Sequence, residues 1–440
     1  MTVKLDAIRA CFEGVIPGTM ATCSEDGVPN VSYLSHVHFI DSEHVALSYQ
    51  FFNKTRQNLL ANPHAELAVI DPHTAAHYRL ALEFLRTETS GPLFESMKAR
   101  LAGIASQVGM TGVFRLLGSD VFRVHDISQV PGATLPPPPA RHNLLASLRR
   151  ACERMGDPRD LETLLCDTLQ ALSRHFGIDH AMVLLADESA QRLYTVASHG
   201  YDASGVGSEI GIGEGVIGVA ARERTPIRIG HMTSEYSYNR AIRDNTDGGA
   251  PDVEIPLPGL ADPRSQLAVP LASGARLLGV LYVESPHDLC FSYDDEDALV
   301  ALASQLGMAI HILQAQADDA ESAADHAAAG QPRGEPVVVR HFVGNDSVFL
   351  GDDYLIKGVA GSIFAMLVAD YTQRGRTEFS NRELRLDPRV RLPDVGDNLE
   401  GRLLLLARRL VERDACVRIE KTGRGRFRLV ADRPLSLVAL

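Results

Sequence analysis

Three side chains near residue 54 are of the types that hold a phosphate group. Lys54 supplies a positive charge, and Thr55 and Asn58 supply hydroxyl and amide hydrogen bonds directly after a run of strand-forming residues. The alternative is a solvated turn in which "NKTRQN" only begins a helix. The segment therefore predicts either a phosphate site or a simple helix start, and the neighbouring elements decide between them.

Those neighbouring elements are mostly short strands. "VPNVSYLSHVHFID" and "SEHVALSYQFF" precede the segment, and "HAELAVIDP", "LALEFLRTETS" and "SDVFRVHDIS" follow it, all rich in β-branched and aromatic residues. "NKTRQNLLANP" is a loop entering a short helix, and "GPLFESMKARLAGIA" is helical in pattern. Many short strands with few helices predict a small barrel.

The order "G-V-P…S…strand…strand…N-K-T…N-L-L-A-N-P" resembles the flavin-binding split barrels of the pyridoxamine 5′-phosphate oxidase family over about residues 10–127. The resemblance implies FMN at a dimer interface, with haem as the alternative planar cofactor. It implies that Lys54, Thr55 and Asn58 contact the phosphate. Ser48 and Gln50 would line the pocket, and Ser35, His36 and Val37 would pass beside the flavin ring.

The chain departs from that family in two places. Asn53 stands where the family carries an arginine beside the phosphate lysine, and Arg56 could substitute for it. The barrel ends near Ile127 without the family's C-terminal substrate segment, and the whole chain has no tryptophan. Oxidation of pyridoxamine phosphate is therefore not expected.

A second block begins after the proline run "LPPPPAR". Its glycine-rich "GIGEGVIG" is a weak match to a dinucleotide-binding fingerprint, and glycines of a tight turn explain it better. With "P-I-R-I", "A-V-P-L" and "L-L-G-V-L-Y-V-E-S" it closely resembles a GAF domain over roughly residues 141–315. The resemblance implies an α/β/α sensory domain with a small-molecule pocket.

The segment that would cover this pocket is the long loop after Ile229. Tyr236, Tyr238 and Asn239 could fold over a ligand there, or the loop could be a flexible surface insertion. The Asn-Lys-Phe-Asp-Glu signature of cyclic-nucleotide GAF domains is absent, so nucleotide binding is not expected. The flanking helices, 143–155 and 294–314, are predicted dimer contacts.

The end of the chain has a different charge from the rest. The formal net charge is −13, yet residues 336–440 hold 18 Lys and Arg against 14 Asp and Glu. A basic end on an acidic chain predicts a polyanionic partner for that end.

This third block contains three short strands, three helices and the hairpin "CVRIEKTGRGRFRLVAD". "SNRE" and "DNLE" are predicted capping boxes of the second and third helices. Over about residues 337–432 the block resembles the winged-helix effector domains of response regulators. That resemblance implies DNA contacts for three arginines of the third helix, one of the second helix and two of the wing: Arg402, Arg408, Arg409, Arg382, Arg424 and Arg426.

The third helix, "RLLLLARRL", is richer in leucine than a groove-facing helix should be. Leu404 or Leu405 is expected to be exposed, because so small a domain can bury at most two faces of a helix. The alternative is that the winged helix docks onto a protein.

Bulk properties indicate a cytoplasmic protein. The six cysteines are scattered without a C-x-x-C pair, no signal-peptide core is present, and no apolar run approaches the roughly 18–20 residues of a membrane span. No metal ligand set is predicted either.

The sequence thus predicts a multidomain α+β chain with a split β-barrel (1–130), a proline-rich linker (131–141), an α/β/α GAF sensory domain (142–318), a second linker (319–336) and a winged helix-turn-helix domain (337–440). The three blocks are called the first, second and third domains below.

The leading hypothesis is a sensory transcriptional regulator that couples flavin, redox or small-molecule binding to DNA binding, and we expect it to be a homodimer. A flavin-dependent oxidoreductase with regulatory domains and a signalling scaffold remain as alternatives. No kinase, cyclase, Ser-His-Asp triad or phosphoacceptor receiver is recognisable.

Overall fold

The structure is a computed structural model that describes residues 3–34, 36–49, 54–107, 116–137, 143–156, 158–230, 255–318, 334–390, 392 and 398–440. Ser35, Gln50, Tyr236, Tyr238 and Asn239 lie outside the described residues.

The first domain is a curled antiparallel sheet whose strands follow the order β2-β1-β5-β6-β7-β4-β3 within the described ranges. Alternate side chains of β1 are buried, because one face of the sheet covers the core. The strands are β1 (Gly18–Cys23), β2 (Pro29–Leu34), β3 (Val37–Phe39), β4 (His44–Tyr49), β5 (His64–Ile70), β6 (His77–Glu88) and β7 (Gly118–Gln129). The helices are a 3-10 helix (Leu5–Phe12), α1 (Lys54–Ala61) and α2 (Pro92–Gln107).

One predicted strand run of this domain is in fact two strands. "VPNVSYLSHVHFID" forms β2, which pairs with β1, and β3, which pairs with β4. These two strands are the opposite edges of the sheet, so the chain passes from one edge to the other between them. Curling brings the two edges together, as barrel closure requires.

The second domain is a six-stranded antiparallel sheet between helices, in the order β10-β9-β8-β13-β12-β11. Its strands are β8 (His180–Asp187), β9 (Arg192–His199), β10 (Glu209–Gly211), β11 (Ile227–Ile229), β12 (Ser265–Ser273) and β13 (Arg276–Ser285). Its helices are α3 (Leu144–Met155), α4 (Leu161–Ala171), which continues as a π-helical turn (Leu172–Phe176), α5 (Gly215–Glu223) and α6 (Tyr293–Asp318). Side chains of β8 alternate between two apolar clusters, one shared with α3, α4 and α6 and the other with α5.

Helix α6 corrects one expectation. Its residues Tyr293–Gln316 are long and apolar enough for a membrane span by length and composition, with a mean hydropathy of 1.5. More than half of that window is buried, and Leu299, Leu302 and Leu306 belong to the core of the second domain. Packing against the sheet therefore accounts for its apolar character.

The third domain joins two small sheets through three helices. The sheets have the orders β16-β15-β14-β20 and β17-β19-β18. The strands are β14 (Val337–Phe342), β15 (Ser347–Leu350), β16 (Asp353–Ile356), β17 (Glu378–Ser380), β18 (Val417–Gly423), β19 (Arg426–Ala431) and β20 (Leu435–Ala439). The helices are α7 (Gly358–Arg374), α8 (Asn381–Leu386) and α9 (Leu399–Glu412).

The predicted helix starts of this domain are half right. Ser380 and Glu383 form the capping box of α8. Helix α9 is capped by Asn398, whose side chain accepts from the Gly401 N–H, whereas Asp397, the predicted cap, lies outside the described residues. Strand β20, which pairs with β14 in parallel, was not predicted.

Candidate functional site

The predicted phosphate residues lie at the start of α1, but only one of them faces solvent. Lys54 is exposed and makes no ion pair with any described residue. Thr55 is buried, accepts from Asn30 Nδ2 at 2.8 Å and donates to Ser32 Oγ at 3.1 Å. Thr55 therefore holds α1 against β2.

Asn58 and Arg56 also serve the fold of the barrel. Asn58 is buried and donates to Thr22 Oγ1 at 3.1 Å. Arg56 donates to Asp120 Oδ1 at 2.5 Å and stacks on the Tyr49 ring at 4.4 Å. Arg56 is thus engaged inside the domain and does not replace the family arginine at a phosphate.

The two described ring residues, His36 just before β3 and Val37 at its start, point to opposite sides of the sheet. Val37 is buried in the barrel core, whereas His36 lies on the opposite face beside Ser48, whose N–H donates to the His36 carbonyl at 3.2 Å. His36 is 1% exposed, and neither ring nitrogen has a hydrogen-bond partner among the described residues. Burial, and then the charge of Arg100, hold the pKa of His36 well below its usual range, so its ring is neutral.

The described residues thus fit a phosphate-bearing planar cofactor at two points. Lys54 is a free cation at the N-terminus of α1, and His36 is a buried ring with unsatisfied nitrogens. Thr55 and Asn58 set the position of α1 and do not point into solvent.

Glu13 is a carboxylate shared by two arginines at the boundary of the first and second domains. Its Oε2 accepts from Arg100 of α2 at 3.1 Å and from Arg228 of β11 at 2.6 Å. Its Oε1 accepts from the Tyr293 N–H at 2.9 Å. One carboxylate therefore joins elements of both domains.

Arg228 is the most deeply buried cation of this boundary, with 2% of its surface exposed. It also donates to Glu296 Oε2 at 2.7 Å and to the Phe291 carbonyl at 2.8 Å. Burial disfavours the charged form, but Glu13 and Glu296 outweigh burial and raise the pKa of Arg228. The guanidinium therefore stays charged in a nearly dry environment.

Tyr293, the first residue of α6, lies at the centre of this group. The guanidinium of Arg228 lies 4.3 Å from its ring centroid and that of Arg100 lies 4.8 Å away, both within cation–π distance. Its hydroxyl accepts from Arg100 at 2.5 Å and from the Phe39 N–H at 3.1 Å. Glu13, Arg100, Arg228 and Tyr293 are called the boundary cluster below. No sequence pattern indicated it, because its members are far apart along the chain.

The predicted DNA-contacting helix α9 packs against the second domain. Arg402 is 5% exposed and donates to Asp187 of β8 at 2.5 Å, and its guanidinium lies 4.3 Å from the Tyr194 ring. Burial alone would raise the pKa of Asp187, but the Arg402 charge and a hydrogen bond from Ser189 outweigh burial and lower it. This buried ion pair fixes α9 at the end of β8.

The other two arginines of α9 are also engaged. Arg408 donates to the Val196 carbonyl of β9 at 2.6 Å. Arg409 is buried, donates to the Leu355 carbonyl at 3.1 Å and pairs with Glu412 at 2.9 Å. In this arrangement Arg402, Arg408 and Arg409 do not face a groove-sized open surface.

The leucines of α9 correct a further expectation. Leu404 and Leu405 are 6% and 4% exposed, not exposed as predicted. The helix has a second packing partner that the domain-size argument left out, namely the second domain. Contact is so close that a Cβ on Gly401 would lie 2.6 Å from Leu185 Cδ1.

Among the described residues, the charged pairs across this contact have the same polarity. The third domain supplies each cation and the second domain each carboxylate, with N–O distances from 2.5 to 3.9 Å: Lys421–Asp160, Arg408–Glu162, Arg402–Asp187 and Lys357–Glu209. The acidic residues of the second domain thus occupy the basic surface that the sequence assigned to a polyanion.

The remaining predicted DNA contacts lie at the surface. Arg382 is exposed on α8. Arg424 is exposed at the hairpin tip and donates to Gln316 of α6. Arg426 is half-exposed, and its side chain makes no hydrogen bond or ion pair with the part of the chain that is described. Gly425 has φ +64°, which shapes the tip between them.

No set of three or more His, Cys, Asp and Glu side chains suited to a metal ion occurs in the described ranges.

Comparison with protein-family models identifies two of the three domains. Residues 5–127 match the pyridoxamine 5′-phosphate oxidase model, and residues 160–310 match the GAF domain model. These matches confirm the families predicted for the first and second domains. The winged-helix assignment of the third domain stays a prediction.

Solved structures resemble single domains of the chain. A GAF domain of an Acinetobacter phosphoenolpyruvate-protein phosphotransferase shares 24% identity over 39% of this chain and 94% of its own, with a TM-score of 0.32. An FMN-binding protein from Syntrophomonas wolfei shares 18% identity over 29% of this chain and 86% of its own, with a TM-score of 0.25. Free methionine-R-sulfoxide reductase from Neisseria meningitidis shares 23% identity over 39% of this chain and 92% of its own, with a TM-score of 0.30. No curated protein sequence matches the chain.

The boundary cluster predicts a large effect for a small change. Glu13→Gln keeps the shape of the side chain but leaves Arg100 and Arg228 sharing a neutral amide. Loss of a buried ion-pair partner lowers the free energy of unfolding by about 3–5 kcal/mol. The midpoint of urea unfolding, measured by circular dichroism, should therefore fall to a lower urea concentration. Glu25→Gln, at an exposed turn, is the matched control and should leave it unchanged. Equal midpoints for the two variants would contradict this role of Glu13.

The docking of α9 predicts a local effect. Asp187→Asn removes the charge opposite Arg402, so residues 399–412 should exchange amide hydrogens faster while α3 and α6 keep their protection. The control is Asp202→Asn, an exposed aspartate of the same domain. Unchanged exchange in α9 would mean that the leucine contacts alone hold the helix.

Proposed function

We propose that this chain is a cytoplasmic sensory regulator of transcription in which the first two domains control access of the third domain to DNA. The family matches support a regulatory protein that binds flavin or small molecules. Six unpaired cysteines agree with a reducing compartment.

The third domain is proposed to be a winged helix. Its order of strands, three helices and a terminal hairpin supports this assignment, as does its excess of basic residues. Helix α9 would enter the major groove, and Arg424 and Arg426 would probe the minor groove.

The observation that carries the proposal is the ion pair between Arg402 and Asp187 at 2.5 Å. A basic helix that faces a row of carboxylates has two competing partners, the second domain and a polyanion. Docked, α9 offers no guanidinium to DNA. Undocked, it would expose Arg402 and Arg408 together, while Arg409 stays held by Leu355 and Glu412 of its own domain. The structure is therefore interpreted as the closed form of a two-state equilibrium.

The boundary cluster offers a route from the first domain to this equilibrium. Tyr293 begins α6, and Gln316 near the other end of the same helix accepts a hydrogen bond from Arg424 at the hairpin tip. A shift of α6 would therefore change the contacts of both neighbouring domains.

A homodimer is proposed through α3 and α6. Leu145 of α3 and Met308 and Ile312 of α6 are large apolar side chains that remain 77%, 57% and 46% exposed. A second copy of the chain would cover them, in keeping with the predicted dimer contacts.

The first domain is proposed to hold FMN, with haem as the alternative. Lys54 would take the phosphate, Thr55 and Asn58 would keep α1 in place, and His36 and Ser48 would lie on the ring side. FMN would supply reversible redox chemistry as the signal, and no turnover is assigned to the chain.

FMN binding gives a test of this assignment. Lys54→Ala should raise the Kd for FMN by about tenfold, because one charge-assisted hydrogen bond is lost. The Kd is measured from the quenching of FMN fluorescence on binding. Lys4→Ala, an exposed lysine outside α1, is the control. Equal FMN affinity in both variants, or no FMN uptake by the parent protein, would overturn the assignment.

DNA binding gives the test of the proposed function. On a random-sequence duplex pool, Asp187→Asn should bind more tightly than the parent, by about tenfold for each 1.4 kcal/mol of docking lost. Arg424→Ala with Arg426→Ala should bind more weakly and reduce the salt slope by about 2.

Asp202→Asn is again the control for the docking variant. No retention of parent or Asp187→Asn protein on DNA would refute the proposed function and favour the protein-docking alternative. Weaker DNA binding by Asp187→Asn would instead mean that the docked form is the active one.

A further inference from the structure

A row of polar side chains crosses the sheet of the second domain on the face that carries α5. Glu284 of β13 stands between Gln266 of β12 and His180 of β8, as direct cross-strand partners. Directly opposed residues in antiparallel strands point to the same face. Tyr282, two residues before Glu284, belongs to the apolar cluster of α5, which identifies that face.

Glu284 is a buried carboxylate without a cation. It is 3% exposed, accepts from the Leu260 N–H at 2.7 Å and from the Tyr282 hydroxyl at 2.9 Å. It forms no ion pair with the described side chains, in contrast to Glu13 and Asp187, which each face arginine. A buried carboxylate is unfavourable unless a positive charge or several donors compensate it.

Gln266 of this row has an unsatisfied hydrogen-bond donor, and Tyr201 lies beside Glu284. Gln266 is 2% exposed, and its Nε2 has no hydrogen-bond partner among the described residues. The Tyr201 hydroxyl is buried beside Glu284, and that carboxylate is the group toward which it can donate. Burial, and then the Glu284 charge, raise the pKa of Tyr201, so it keeps its proton as a donor.

The described part of the covering segment closes over this row. Leu260 reaches Glu284 through its backbone N–H, and Leu257 packs on the apolar cluster of the same face. A backbone hydrogen bond to the carboxylate couples the position of the segment to whatever else Glu284 binds.

We propose that this row is the input site of the second domain and that it binds a small organic cation, a primary ammonium or guanidinium compound. The N–H groups of the ligand would donate to Glu284, and the amide of Gln266 would serve a polar group elsewhere on the ligand. The inference rests on the proposed function, because it names the signal that the regulator would sense.

The chemistry of the row excludes two other ligand classes. A divalent metal ion prefers several oxygen ligands, and the row offers one carboxylate. An anion would meet the Glu284 charge at close range without a compensating cation from the described residues.

The test compares three probes of equal carbon length on the full chain. Saturation-transfer NMR is recorded with n-propylammonium, n-propanol and propionate at equal concentration and ionic strength. The cation should give the largest signal, by about tenfold over the other two, since only it forms a charge-assisted hydrogen bond with Glu284. Equal signals, or a preference for propionate, would overturn the proposal.

Two variants locate the site. Glu284→Gln should abolish the preference for the cation, and Asp262→Asn, an exposed carboxylate of the covering segment, should keep it. A folded Glu284→Gln protein that retains the preference would refute the assignment to this row.

If Glu284→Gln does not fold, Glu284→Asp preserves the charge and shortens the side chain by one methylene. It should keep the preference for the cation with a weaker signal, and an unchanged signal would place the site elsewhere. No DNA is present in these measurements, so cation binding and DNA binding can fail separately.

Discussion

A guanidinium cannot lose its charge inside a protein, so every buried arginine dictates where a carboxylate must stand. The arrangement of the three domains depends on this constraint. Arg100 and Arg228 are buried where the first two domains meet, and Glu13 lies between them. Arg402 is buried where the second and third domains meet, and Asp187 faces it. Both contacts are specified by charge pairs surrounded by apolar side chains.

Buried ion pairs suit a switch better than an apolar contact would. Their net stability is small, because desolvation cancels most of the attraction, while their geometry is strict. An interface of this kind has a preferred arrangement without a large free energy holding it. Ligand binding worth a few kcal/mol can then shift the equilibrium between docked and undocked forms.

The two interfaces also differ in a way that bears on function. At the boundary cluster each domain contributes both signs of charge, and Tyr293 lies between two guanidinium groups. At the contact of α9 the cations come from one side and the carboxylates from the other. The first pattern leaves neither domain with a surface of a single charge sign. The second leaves a complete basic surface on the third domain once the two domains part.

The sequence by itself determined most of the elements and two of the three domain families. The elements were predicted from local patterns: period-two and helical spacing, turn glycines and the capping box at Ser380. Such patterns involve residues close together in the chain, so they can be recognised without a structure. Only the tertiary structure decided what the charged and leucine-rich positions do. Arg56 could have served a phosphate but pairs with Asp120, and Arg402 could have faced DNA but pairs with Asp187. The partner of a charged side chain depends on which domain packs beside it. Glu13 and Arg228 are so far apart in the chain that no sequence pattern predicts their contact.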